Sequence, residues 1–156
     1  MAWTVLQFGK HKGRTLPQVV LSDPDWFFWA IEKNVFEGKG PLEREAQEIN
    51  YKARNIKIPS KEGKDLVAEY LIHLPTRRFG AMDIVARDRP LNQGSSPAFR
   101  KDVIDLSFPR EIAGYDKLGC GNLLLSVKHH LFGDRHCRMT RQRCEAFFED
   151  DSNFVL

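Results

Sequence analysis

The sequence predicts an α+β fold in which a small antiparallel sheet of three to four strands has helices packed on it. Three observations support this prediction: short runs of β-forming residues, charged segments with apolar residues at helical spacing, and glycine or proline breaks between them. The hydrophobic fraction of 42%, with eleven Phe and three Trp, is enough for a core. At 156 residues the chain fits a single domain, residues 1–156. Within it we expect an N-terminal module, residues 1–36, and a remainder, residues 37–156, that holds the sheet and two C-terminal helices.

The N-terminal module is predicted to contain one strand and two helices. Residues 3–8 are rich in β-formers and predict a strand that leads into a glycine turn. Thr15 is expected to cap a short helix over residues 16–21. A second helix over residues 24–34 is expected to begin at the cap Asp23, because proline follows Asp23 and suits the first helical position.

The remainder is predicted from periodicity and breakers. Residues 41–54 carry apolar side chains at helical spacing, whereas residues 66–74 and 81–87 predict two strands joined as a hairpin. Residues 102–108 predict a third strand of the sheet. The C-terminal elements are two helices, over residues 123–132 and 140–149, with Asn122 and Thr140 as their caps.

Positive charge is concentrated in two places. The net charge is only +3, so composition alone does not indicate a nucleic-acid binder, and the distribution of charge matters more. The first concentration is the segment of residues 8–14. The members of the second are Lys128, Arg135, Arg138, Arg141 and Arg143. Either concentration alone is typical of a solvated surface.

The segment Phe-Gly-Lys-His-Lys-Gly-Arg, residues 8–14, is the main candidate for a binding site, and we call it the glycine turn. Gly9 and Gly13 tolerate positive φ, which favours a tight turn with exposed backbone amides. Such a turn forms an anion-binding concavity, here surrounded by basic side chains. The residues that carry them are Lys10, His11, Lys12 and Arg14. The alternative is a hairpin turn whose lysines only maintain solubility.

The glycine turn and the helix after it resemble a known family. The pattern Phe-Gly-Lys-x-Lys-Gly-Arg-x-Leu-Pro, followed by Val19, Trp26 and Trp29, is similar to the C-terminal module of exodeoxyribonuclease X and its relatives. The resemblance covers residues 8–34. The helix departs from the family form, because Trp-Phe-Phe-Trp stands where the family usually has Tyr-Leu-x-Trp.

The resemblance implies an accessory nucleic-acid module with no catalytic role. The nuclease domain that accompanies the module elsewhere opens with an Asp-x-Glu metal-binding strand, and the sequence has no such strand. The phosphate contacts that the resemblance implies are Lys10, Lys12 and Arg14. Trp26 is a candidate platform for stacking unpaired bases, whereas Trp29 is expected to pack in the core. The arginines expected to continue this surface are Arg135, Arg138, Arg141 and Arg143.

We predict no metal site, no cofactor and no catalytic residue. Cysteine and histidine side chains suit zinc, but the paired spacings of zinc sites are missing among them. These residues are Cys120, His129, His130, His136, Cys137 and Cys144. Asp83, Asp102 and Asp105 near strand ends are candidate Mg²⁺ ligands, although the polar face of a sheet is the favoured interpretation.

The function that the sequence predicts is a non-catalytic nucleic-acid-binding accessory protein of bacterial or phage type. We expect it to contact backbone phosphates, with DNA favoured over RNA, and to work beside a host, replication or recombination protein. One alternative is a protein–protein interaction factor that docks through the aromatic-rich helix predicted over residues 24–34. A second alternative is a metal-dependent nuclease. The odd number of cysteines, the lack of a signal-peptide pattern and the lack of a long apolar run predict a cytoplasmic protein without membrane contact.

Overall fold

The computed structural model describes residues 2–59, 63–91, 94, 97–113 and 117–156. Within these residues the chain forms six α-helices and five short β-strands, which confirms the α+β prediction. The helices are α1 (Leu16–Val20), α2 (Pro24–Glu32), α3 (Pro41–Ala53), α4 (Phe108–Ala113), α5 (Lys117–Phe132) and α6 (Arg141–Glu149). The strands are β1 (Ile56–Lys57), β2 (Leu66–His73), β3 (Arg78–Ala86), β4 (Ala98–Lys101) and β5 (Val103–Ile104).

The described strands form two antiparallel sheets. A three-stranded sheet has the order β3-β2-β4, and β1 pairs with β5 in a two-stranded sheet. The hairpin of β2 and β3 is the one that the sequence predicts, and it places Tyr70 opposite Met82. The register shifts after Leu71, where Gly80 is the extra residue of a bulge in β3.

The prediction of one strand over residues 102–108 is wrong, because a turn interrupts it. β5 contains only two residues of that segment, and Phe108 already belongs to α4. The carboxylate of Asp105 accepts hydrogen bonds from the amide of Ser107 at 2.9 Å and from its hydroxyl at 2.6 Å. A bond from an Asp side chain to the backbone two residues later favours a turn over a strand.

Residues 3–8 do not form the predicted strand either. The amide and hydroxyl of Thr4 both donate to the carboxylate of Glu45 on α3, at 2.9 Å and 2.5 Å. The carbonyl of Leu6 accepts from the amide of Gly13 across the glycine turn at 2.9 Å. The Thr4 amide and the Leu6 carbonyl therefore already have hydrogen-bond partners and do not need a neighbouring strand. The apolar side chains of Trp3 and Leu6 pack in the core.

One apolar core contains side chains from both parts of the chain. Trp3 and Leu6 pack in it with Phe28 of α2, Tyr70 of β2 and Phe148 of α6. α5 begins at Lys117, earlier than the predicted cap Asn122. No helix in the described ranges combines the length and apolar character that crossing a membrane requires.

An ion cluster fixes α2 against α4. The guanidinium of Arg110 donates to Asp25 at 2.8 Å and to Glu32 at 2.7 Å, and both Asp25 and the Arg110 side chain are nearly buried. Hydrogen bonding to Glu32 is the largest influence on Arg110, and it raises the pKa of the guanidinium despite the opposing effect of burial. Arg110 therefore sets the orientation of α2.

We expect Arg110→Ala to lower the free energy of unfolding by about 3–5 kcal/mol, because it leaves the carboxylate of Asp25 buried without its cation. Arg87→Ala is the matched control, since Arg87 pairs with Asp65 and Asp102 on the exposed surface, where an ion pair contributes far less to stability. Urea titration measures both variants. Equal losses for the two variants would show that the Arg110 cluster does not hold α2.

Candidate nucleic-acid interface

The glycine turn adopts the backbone conformation that the sequence predicts, but part of its backbone is already bonded. Gly9 has φ of 75° and Gly13 has φ of 92°. The amide of Lys12 donates to the carbonyl of Gly9 at 3.2 Å, and the amide of Arg14 donates to the carbonyl of His11 at 3.1 Å. The amide of Gly13 donates to the carbonyl of Leu6, so a third amide of the turn is not free to bind an anion. The expected series of exposed amides is therefore not formed over residues 12–14.

Asp23 joins the glycine turn to α2. One oxygen of its carboxylate accepts from the Nζ of Lys10 at 2.8 Å and from the Nε2 of His11 at 3.0 Å. The other oxygen accepts from the amide of Trp26 at 3.3 Å, so Asp23 is the helix cap that the sequence predicts. Partial burial alone raises the pKa of Asp23, but the bonds from Lys10, His11 and the Trp26 amide outweigh it and hold the pKa below 3.8.

Two of the predicted contact residues therefore have structural partners. Lys10 remains half exposed, but its charge is already balanced by Asp23. His11 is almost buried and lies edge-on to the ring of Trp26, with the ring centroids 5.0 Å apart. A Cβ atom on Gly9 would lie 3.5 Å from that same indole, so the turn rests directly on the helix.

Arg14 lies in a groove with basic residues from the C-terminal part of the chain. The groove has a volume of about 340 Å³, and no carboxylate is among the residues that line it. Its lining residues are Arg14, Gln18, Ser22, Lys128, Cys137, Arg138, Met139 and Thr140. We call it the basic groove. Among the described residues, none of its three cations, Arg14, Lys128 and Arg138, has a carboxylate within ion-pair distance.

Hydrogen bonds between the walls hold the basic groove together. The Nε2 of Gln18 on α1 donates to the carbonyl of Met139 at 3.4 Å. The buried hydroxyl of Thr15, next to Arg14, donates to Glu145 on α6 at 2.9 Å instead of capping α1 as predicted. The guanidinium of Arg143 donates to the carbonyl of Arg138 at 2.9 Å. The arginines are therefore presented by backbone that is fixed in the folded protein.

The predicted C-terminal continuation of the surface is divided by the fold. Arg138 joins Arg14 in the basic groove. Arg135 lines a different cleft, between β3 and α5, together with His129 and His130. Arg141 pairs with Glu145 at 2.7 Å, so its charge is balanced within α6.

The two tryptophans of α2 have the opposite environments to those expected. Trp26 is partly buried, between His11 and the ring of Phe36, whose centroid is 6.1 Å away. Trp29 was expected in the core but is 40% exposed. Phe27 and Phe28 occupy the core side of the helix and leave Trp29 on the outer side.

The carboxylates and cysteines considered for metal binding are separated by other partners. Asp83 pairs with His130 at 3.2 Å, and Asp105 pairs with Lys101 at 2.7 Å. Over the described ranges no three His, Cys, Asp or Glu side chains are grouped to hold a metal ion. Burial raises the pKa of the Cys144 thiol to about 12, which suits a core residue.

We expect Asp23→Ala to lower the free energy of unfolding by about 0.5–2 kcal/mol through the lost cap alone. Asp23→Asn keeps a cap acceptor but loses the charge that Lys10 binds, so it isolates the ionic contribution. Urea titration of both variants beside the native chain gives these differences.

The charge of Asp23 also predicts a pH dependence. The pKa of Asp23 is lowered in the folded chain, so the ionised carboxylate stabilises the fold at pH values above 3.8, the ordinary pKa of the group. This contribution is lost as the pH falls through the lowered pKa. The native chain should therefore exceed Asp23→Asn in stability at neutral pH and converge with it as the pH falls below the lowered pKa of Asp23. A difference that persists unchanged at low pH would contradict the ionic role of Asp23.

Comparisons of the chain with protein families, with curated proteins and with solved structures found no match. The resemblance to the exodeoxyribonuclease X module therefore stays a prediction from residues 8–34.

Proposed function

We propose that the chain binds nucleic acid through backbone phosphates at the basic groove, as an accessory protein without a catalytic role. The observation that carries this proposal is the convergence of Arg14 from the glycine turn with Lys128 of α5 and Arg138 of the loop before α6 on one groove that no carboxylate lines. Phosphate diesters supply the fixed, serial negative charge that such a groove complements, and guanidinium groups bind phosphate oxygens in a bidentate manner.

The exposed side of the glycine turn supports the same ligand. Lys12 is exposed and, within the described ranges, has no carboxylate partner. It precedes Arg14 by two residues in the same turn, so it is a candidate for a further phosphate contact beside the groove. The proposal keeps Lys12 and Arg14 as phosphate contacts and assigns Lys10 and His11 to positioning the turn, since Asp23 binds both.

The proposal has DNA as the favoured nucleic acid and the cytoplasm as its location. Three free cysteines support a reducing compartment. The similarity of residues 8–34 to the exodeoxyribonuclease X module supports a bacterial or phage accessory role beside a replication or recombination protein. A nuclease is less consistent with the geometry, because Asp83 binds His130 and Asp105 binds Lys101, so the two carboxylates have different basic partners.

The test is fluorescence anisotropy with labelled DNA and RNA oligonucleotides at two salt concentrations. We expect a dissociation constant for the native chain of about 10⁻⁶–10⁻⁴ M at physiological salt, the range of binding that depends on phosphates. The triple variant Arg14→Glu, Lys128→Glu and Arg138→Glu should weaken binding on the order of tenfold or more for every sequence alike.

The matched control reverses three exposed cations outside the groove, Arg44, Lys57 and Lys64. It changes the net charge by the same amount, so equal losses in the two triple variants would mean that only total charge matters. Unchanged binding by the groove variant would contradict the proposal.

A further inference from the structure

The outer face of α2 carries an exposed aromatic ring that the basic groove does not use. The ring centroids of Trp26 and Trp29 are 6.2 Å apart, and Trp26 also contacts Phe36. Phe8 of the glycine turn lies 6.4 Å from Phe36. Trp29 is the outermost ring of this cluster, 40% exposed. We call these four side chains the aromatic cluster.

The aromatic cluster is rigid because each inner ring has fixed neighbours. His11 and Gly9 support Trp26 from the side of the glycine turn. Asp23 caps α2 at its start, and Arg110 binds it at Asp25 and Glu32. The indole of Trp29 therefore projects from a helix that is held at both ends, and little order has to be gained when a ligand stacks on it.

Cations flank the aromatic cluster, whereas both carboxylates of α2 pair with Arg110. Lys33 follows Trp29 by four residues and shares its face of the helix. The Nζ of Lys39 lies 4.7 Å from the centroid of the Phe8 ring. Asp25 and Glu32 pair with Arg110. Within the described ranges, Glu37 is the remaining exposed carboxylate of this region without an ion pair.

We infer that Trp29 stacks an unpaired nucleotide base and that Lys33 and Lys39 bind the phosphates beside it, so that the chain prefers single-stranded nucleic acid. This inference rests on the proposed function. Charge complementarity selects the occupant, because this side of the helix combines an indole that is 40% exposed with cations, and a nucleotide has both a flat base and a phosphate. A duplex hides the faces of its bases and contacts only the cations.

The experiment compares a labelled thymidine oligonucleotide with a duplex of equal length by anisotropy. Trp29→Ala should weaken single-strand binding by about 5- to 150-fold and leave duplex binding unchanged, the range expected for one stacked base. Trp29→Phe should retain most of the affinity. Tyr51→Ala is the matched control, because Tyr51 of α3 is 52% exposed and lies outside the cluster.

Tryptophan fluorescence gives a second measurement. Single-stranded DNA should quench the emission of the native chain, and the quenching should be lost in Trp29→Phe. Equal loss of single-strand and duplex binding in Trp29→Ala, or no loss of either, would overturn the inference.

The outcomes separate the inference from the proposed function. If the basic-groove variant loses binding while Trp29→Ala binds single strands like the native chain, the phosphate proposal stands and base stacking is wrong. If neither the native chain nor any variant binds any of the oligonucleotides, the proposed function and the inference are both wrong. If a purified replication or recombination protein binds the native chain, and Trp29→Ala abolishes that complex without changing DNA binding, the face docks a protein and the inference is overturned.

Discussion

The carboxylate of Asp23 is the constraint on which the N-terminal part of the structure depends. It caps α2, binds the Nζ of Lys10 and binds the imidazole of His11. One side chain therefore fixes the glycine turn against α2. Because Lys10 and His11 both bind Asp23, the acidic partner of these two side chains lies within the protein. The turn is held in place by Lys10 and His11, whereas Lys12 and Arg14 have no carboxylate partner in the described part of the chain.

The basic groove is a product of packing between segments that are distant in the sequence. α1 contacts both the loop before α6 and α6 itself, through Gln18 to the Met139 carbonyl and through Thr15 to Glu145. These bonds place Arg14 beside Arg138. Like charges brought together in this way repel one another, and a bound polyanion would relieve that repulsion. The folded chain therefore tolerates a local charge concentration that its mild net charge of +3 does not reveal.

Local chemistry made much of the fold predictable. The Asp23 cap, the positive φ of both glycines in the turn, the hairpin of β2 and β3, and the Thr140 cap all follow from short-range rules. The failures occurred where tertiary partners intervened. Glu45 satisfies the backbone of the N-terminal segment, and Asp105 turns the chain into α4.

The candidate site was less predictable than the fold, because its parts depend on long-range contacts. The sequence predicted that four arginines continue the surface of Arg14, but packing of α1 on the C-terminal region joins only Arg138 of the predicted arginines to Arg14 in the basic groove. The exposure of Trp29 was missed, although its spacing carried a signal. Phe27 and Phe28 are adjacent and both fill the core side, so Trp29 lies beyond the apolar stripe that they define.

The most direct test of the central claim is the dependence of the DNA association constant on salt concentration, measured for the native chain, for Arg138→Ala and for the control Arg44→Ala. Three phosphate contacts in the basic groove give a slope of log K against log salt of about −2 or steeper. We expect Arg138→Ala to make the slope shallower by about 0.7–0.9 and Arg44→Ala to leave it unchanged. A slope near zero, or one that Arg138→Ala does not alter, would contradict binding of phosphates at the basic groove.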